Sequence, residues 1–154
     1  MQFDLQIINE KYSERILVGL KSLQPRSFGN IIGVFDTGSS RTIISARDAH
    51  MLKIPLASLR DSQYPVSGFG RGKIPCKVCD KFKLALKSKE DKIKIFEIPL
   101  HIVDTTALKN LNSEFERHAY QIPTIIGLDF LKGLNLSLKV NMNNKEAYME
   151  ENIS

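Results

Sequence analysis

Asp36-Thr37-Gly38-Ser39-Ser40 is the stretch of this chain whose residue types and spacing could perform chemistry. It follows Ile31-Ile32-Gly33-Val34-Phe35, an apolar and partly β-branched run that reads as a buried strand. The strand pattern stops on a carboxylate, and the Thr, Gly and two Ser that come next are turn residues. A firm element thus delivers one acid to a tight turn whose amides and hydroxyls can surround it. A carboxylate at the end of an apolar strand is costly unless it is hydrogen-bonded, paired or partly neutral. The plain alternative is a surface Asp that opens an Asx turn. Two carboxyls at close range share one proton, because like charges so near do not both ionise. The ionised member then acts as general base toward a water, and the protonated member donates to a carbonyl oxygen. An amide is hydrolysed in this way without metal or covalent intermediate.

The sequence contains one Asp-Thr-Gly. Its nearest echo, Asp104-Thr105-Thr106, has Thr in place of the Gly and reads as a helix cap. Two-carboxyl chemistry would then need a second acid, which another copy of the chain would supply, with Asp36 facing its symmetry mate across a two-fold axis.

Other constellations are weaker. Gly68-Phe69-Gly70-Arg71-Gly72-Lys73-Ile74 superficially resembles a phosphate-binding loop. Ser67 stands where that loop needs its first Gly, and Ile74 replaces the magnesium-binding Ser or Thr. Cys76-Lys77-Val78-Cys79 has metal-ligand spacing but no second pair, and His50, His101 and His118 show no paired spacing with it. Alternation puts Cys76 and Val78 on one strand face and Cys79 on the other, which suits packing or exposed thiols. Ser39 and Ser40 lack the Gly-x-Ser-x-Gly elbow of a serine hydrolase. No metal or cofactor is expected.

The elements that must position the acid can be read from periodicity. Residues 3–9 alternate as a strand, 15–23 continue as a second, and 24–30 form a loop by their Pro and Gly. After the Asp36 turn, 42–45 read as a short strand and 46–52 as a short helix capped by Ser45 and closed by Pro55. Residues 58–65 look polar and irregular, 66–78 a glycine-bearing hairpin, and 82–87 and 92–103 a strand pair joined by a charged turn. Leu108, Leu111, Phe115 and Ala119 recur at helical spacing, so 104–120 reads as one amphipathic helix. A helix at 128–132, a strand at 135–140, a turn at 141–144 and a strand at 146–150 close the chain.

With 154 residues, 42% hydrophobic and 25% charged, the composition fits one globular domain with a real core. No apolar run approaches a membrane span and the start is no signal peptide, so no membrane partner is evident and a cytoplasmic location is the simplest expectation. The net charge is +5, and much of the excess lies in 71–94, where lysines alternate with apolar residues. That pattern marks either a solvated strand face guarding an edge or a basic patch for acidic partners or nucleic acid. No aromatic platform or nucleic-acid motif accompanies it, so nucleic acid is set aside as a partner.

Two further segments complete a pattern. Pro123-Thr124-Ile125-Ile126-Gly127-Leu128-Asp129-Phe130-Leu131 is a β-branched run broken by Gly and followed by helical spacing. Val66-Ser67-Gly68-Phe69-Gly70-Arg71-Gly72-Lys73 is glycine-rich and lies between the two. With the Asp36-Thr37-Gly38-Ser39 turn, and in this order, they make the chain resemble the retropepsin-like aspartic proteases, roughly from Phe3 to Tyr148.

The resemblance implies a mainly β, single-domain acid-protease fold over residues 1–154. That fold is closed, mostly antiparallel β with short helices, and dimeric. It implies an aspartic endopeptidase acting on extended peptide or protein substrates, with Asp36 catalytic in each half of a homodimer. Thr37 would link the two turns, Gly38 would let amides approach the acid, and Ser39 would donate to the outer oxygen of Asp36. Ser at that position is pepsin-like, where retroviral members commonly have Ala. Gly68, Phe69 and Gly70 would form the tip of a flap, made basic by Arg71 and Lys73. Ile125, Ile126 and Gly127 would form the wall beneath the turn, and Asp129 would be a helix residue. The 104–120 helix looks like an insertion relative to the smallest members. The competing functions are an inactive dimeric peptide-binding module of the same fold and a basic nucleic-acid-associated protein.

Overall fold

The computed structural model describes residues 1–10, 13–63, 73–110 and 113–153. The flap tip expected at Gly68, Phe69 and Gly70 lies outside them, as does Leu111. Among the described residues ten strands form: β1 (Gln2–Glu10), β2 (Ser13–Ser22), β3 (Gly29–Phe35), β4 (Ile43–Ile44), β5 (Arg60–Asp61), β6 (Cys76–Lys87), β7 (Ile93–Val103), β8 (Thr124–Ile126), β9 (Leu136–Asn141) and β10 (Glu146–Glu151). Four α-helices accompany them among the described residues: α1 (Ala46–Met51), α2 (Thr105–Leu108), α3 (Ser113–Gln121) and α4 (Leu128–Gly133).

The strand order is β5-β6-β7-β4-β8-β3-β2-β1-β10-β9, and β6 also pairs back onto β2, so β6-β7-β4-β8-β3-β2 close on themselves. Pairing is mostly antiparallel; β3 with β8 and β4 with β7 are parallel. Alternation decides which side chains go inward. On β2, Val18 and Leu20 are buried while Gly19 and Lys21 face out. Across the closed sheet, Ile31, Ile44, Phe82, Leu84, Leu100, Ile102 and Ile126 fill the interior. At the other end, β1, β10 and β9 bury Phe3, Met149 and Leu136 in the same core. A smaller cluster of Ile43, Ala46, Ile74, Cys76, Val103, Leu108 and Ala119 joins the helices to the side of the closed sheet.

Three expectations change. Residues 58–65 are not wholly irregular: Arg60 and Asp61 pair with Val78 and Lys77, held by a Lys77–Asp61 ion pair at 2.7 Å and by Arg60 on Asp80 at 2.9 Å. Cross-strand charge, invisible to hydrophobic periodicity, makes this short strand. It pairs the two described segments that precede and follow residues 64–72. The single 104–120 helix is two, α2 and α3. Asp104 caps α2 through Thr106 and Ala107, and that helix ends at Lys109 and Asn110, whose side chain suits a helix interior poorly. Strand β6 starts at Cys76 rather than Phe82. A register shift between Cys79 and Phe82 lets the strand bend, so Cys79 reaches the main core while Cys76 joins the smaller cluster. Both thiols are buried, and neither forms a disulfide among the described residues. Burial raises the pKa of Cys79 further, which keeps it an inert thiol.

Candidate active site

Strand β3 runs parallel to β8, pairing Gly33 with Thr124, Val34 with Ile125 and Phe35 with Ile126. Asp36 extends this ladder by one bond, its amide donating to the Ile126 carbonyl at 3.0 Å. The chain then turns. The Gly38 amide donates to Asp36 Oδ1 at 2.9 Å, and the Ser39 amide to the Asp36 carbonyl at 3.0 Å. An added Cβ on Gly38 would lie 3.2 Å from Asp36 Oδ1, so glycine leaves the acid its space. Asp36, Thr37 and Gly38 are exposed in the single chain, on the end of a strand whose interior side is packed solid.

The Ser39 hydroxyl does not reach the acid. It donates to the Arg41 carbonyl at 2.8 Å. That carbonyl lies two residues on along the same turn, against the backbone of Gly127, where a donor of its own satisfies it. The amides of Leu128 and Asp129 donate to the carbonyls of Ser39 and Ser40 at 2.9 and 3.3 Å. The start of α4 thus clamps the acid-bearing turn from below. Ile126 is fully buried beneath it, Ile125 is half-buried, and Gly127 touches the turn's backbone directly.

Two positioning residues were not read from the sequence in that role. Thr42, fully buried, accepts the Gly127 amide at 3.0 Å and donates its hydroxyl to Asp129 Oδ1 at 2.6 Å. Its amide donates to Asp129 Oδ2 at 2.9 Å. Asp129 is therefore a helix residue, as expected, whose carboxylate joins α4 to the exit of the Asp36 turn. A second tie lies alongside: the Ser45 amide donates to Thr124 Oγ1 at 2.9 Å, and that hydroxyl donates to Asp48 Oδ2 at 2.5 Å. Only Ser45 carried a signal, as the cap of α1. An apolar cleft lined by Ile43, Ile74, Val103, Ala119, Ile122 and Ile125 flanks the β4–β8 pairing, beside the strands that hold the acid.

His101 on β7 sits behind this clamp, its amide 3.3 Å from the Thr42 carbonyl. Its Nδ1 is buried without a partner among the described residues. Burial, then the positive charge of Arg41, hold its pKa below the usual imidazole value; Asp129 opposes this and Arg60 adds to it. The folded chain therefore binds that proton less readily than the unfolded chain. The unfolded chain protonates first as pH falls below about 6.5, so stability is lost as pH drops from there toward the lower folded value. His101→Gln removes this contribution. Melting temperature across mildly acidic pH is expected to fall less steeply for the variant than for the wild type, and parallel curves would refute the assignment.

No family model matches the sequence, and no curated protein matches it. Solved structures do. The crystal structure of a retropepsin-like aspartic protease from Rickettsia conorii aligns over 98% of this chain and 94% of its own, with 14% identity and a TM-score of 0.56. EIAV protease complexed with the inhibitor HBY-793 aligns over 86% of this chain and 100% of its own, with 14% identity and a TM-score of 0.45. The chain has a retropepsin-like fold, mainly β with short helices.

Proposed function

We propose that this chain is one half of an aspartic endopeptidase, a single retropepsin-like domain whose active site forms when two copies bring their Asp36 residues together. The observation that carries this reading is the presentation of Asp36: an exposed carboxylate at the end of a buried strand, with the Gly38 amide on its Oδ1 at 2.9 Å. The clamp of Gly127, Thr42 and Asp129 makes that presentation rigid, which a dyad requires. In the dimer one Asp36 takes a proton from the attacking water while the other donates to the scissile carbonyl. Thr37, exposed beside it, reaches the partner's turn, and Gly38 keeps the space between the acids open. An extended peptide lies across the paired turns as an added strand, with the segment at Gly68, Phe69 and Gly70 closing over it. Ser39 acts through the Arg41 carbonyl rather than on the carboxylate. No cofactor enters this scheme.

The test sets wild type against Asp36→Asn on an unfolded protein or a peptide library, at acidic and neutral pH. Cleavage by the wild type alone supports the peptidase. Binding without cleavage by either protein identifies a peptide-capturing module instead, and equal cleavage by both identifies a contaminant.

A further inference from the structure

The outward face of the closed sheet, on β3, β2, β6 and β7, departs from an ordinary solvated surface. Register places its residues in rows. Asn30, Lys21, Ala85 and Ile95 lie side by side across the four strands. One row away, Ile32 lies opposite Gly19 and Lys87 opposite Ile93. On the other side, Lys83 lies opposite Glu97, its carbonyl accepts the Leu23 amide, and Phe28 immediately precedes β3. Four large apolar side chains stand out from this face: Phe28 is 66% exposed, Ile32 64%, Ile93 68% and Ile95 53%. Between the Phe28–Ile32 side and the Ile93–Ile95 side runs a stripe of exposed lysines, Lys21, Lys83 and Lys87. Lys87 pairs with Asp91 in the adjoining turn; Lys21 and Lys83 form no ion pair among the described residues. The adjoining turn adds no net charge, since Glu90 and Asp91 balance Lys89 and Lys92, so the excess positive charge lies in the stripe itself.

We infer that this face is a peripheral docking surface for an anionic lipid bilayer. Apolar side chains flanking lysines match a membrane interface: the apolar groups enter the acyl boundary while ammonium groups stay with acidic headgroups. Shape agrees, because the outside of a closed sheet is convex and suits a deformable lipid surface better than a rigid protein counterpart. Size agrees as well. Four strands by three rows span roughly 14 by 13 Å, well short of the ~800 Å² per partner of a stable protein interface. A second copy would set lysine stripe against lysine stripe.

Flotation with vesicles tests this without reference to catalysis. The wild type is expected to float with vesicles of phosphatidylcholine mixed with phosphatidylserine, less so as salt rises, and not with phosphatidylcholine alone. Lys21→Gln, Lys83→Gln and Lys87→Gln together are expected to weaken binding on the order of tenfold or more. Phe28→Ser with Ile93→Ser and Ile95→Ser is expected to weaken it comparably. Lys109→Gln, Lys132→Gln and Lys139→Gln remove the same net charge from other elements and are expected to change it little; unchanged circular dichroism confirms that every variant folds. Equal losses from both lysine sets would reduce the effect to net charge and overturn the proposal. Retention on poly-glutamate without binding to either vesicle would overturn it in favour of an acidic protein partner.

Discussion

At fixed total protein, an equimolar mixture of wild type and Asp36→Asn is expected to show about one quarter of the peptidase activity of wild type alone rather than one half, if each site needs one acid from each of two copies. The variant alone retains little: losing a positioned general base costs roughly 10²–10⁴-fold. Asparagine keeps a carbonyl oxygen for the Gly38 amide, so the turn's hydrogen bond survives, and the residue is exposed in the single chain. The variant should therefore fold and pair normally, which is what makes it a poison. Random pairing leaves only the wild-type pairs active. Specific activity should also fall on dilution as pairs dissociate. Activity proportional to the wild-type fraction, unchanged on dilution, would mean that one chain holds a complete site, and the shared-acid mechanism would be wrong.

Most of the strand plan could be read from alternation, because one-sided burial writes a period of two into β1, β2, β6, β7 and β10. The acid was legible for the same reason: an apolar strand ending on Asp36 and a glycine turn is a local pattern. What alternation could not show depends on contacts between distant segments. Strand β5 exists because Arg60 and Asp61 meet charges on β6, and nothing in residues 58–65 alone announces it. Ser39 is adjacent to the acid, which invites the inference that its hydroxyl bonds there. The fold instead brings the Arg41 carbonyl within 2.8 Å of it. Thr42 and Asp129 lie far apart in sequence and look like an ordinary strand residue and an ordinary helix residue. Their role emerges only when β8 lays α4 against the exit of the turn. The faint trace was a polar Thr in an otherwise apolar β4 segment, a position that must find a buried partner.

Gly127→Ala should abolish activity and cost stability well beyond the usual glycine-to-alanine change. Gly127 has φ −99° and ψ −176°, an extended backbone open to any residue, so its need for glycine is one of space. A Cβ there would lie 2.5 Å from the Arg41 carbonyl oxygen and 2.8 Å from that of Ser39. Both obstacles are backbone, and both are fixed by bonds from Ser39 Oγ and the Leu128 amide. Relief requires α4 and the Asp36 turn to separate, which strains the Gly127 amide bond to Thr42 and the Leu128 amide bond to Ser39. Overpacking of this kind costs ~1–3 kcal/mol, and each buried group left unpaired adds ~1–3 kcal/mol. Gly19→Ala is the control, since nothing lies within 4 Å of its Cβ position and alanine suits a strand better than glycine. Urea midpoints should fall for the first variant and hold or rise for the second. Activity should fall further than stability predicts at Gly127, even at temperatures where the variant is folded, because a shifted turn would misplace both acids of the proposed dimer at once. A folded, fully active Gly127→Ala protein would show that the clamp beneath the turn does not position the acid.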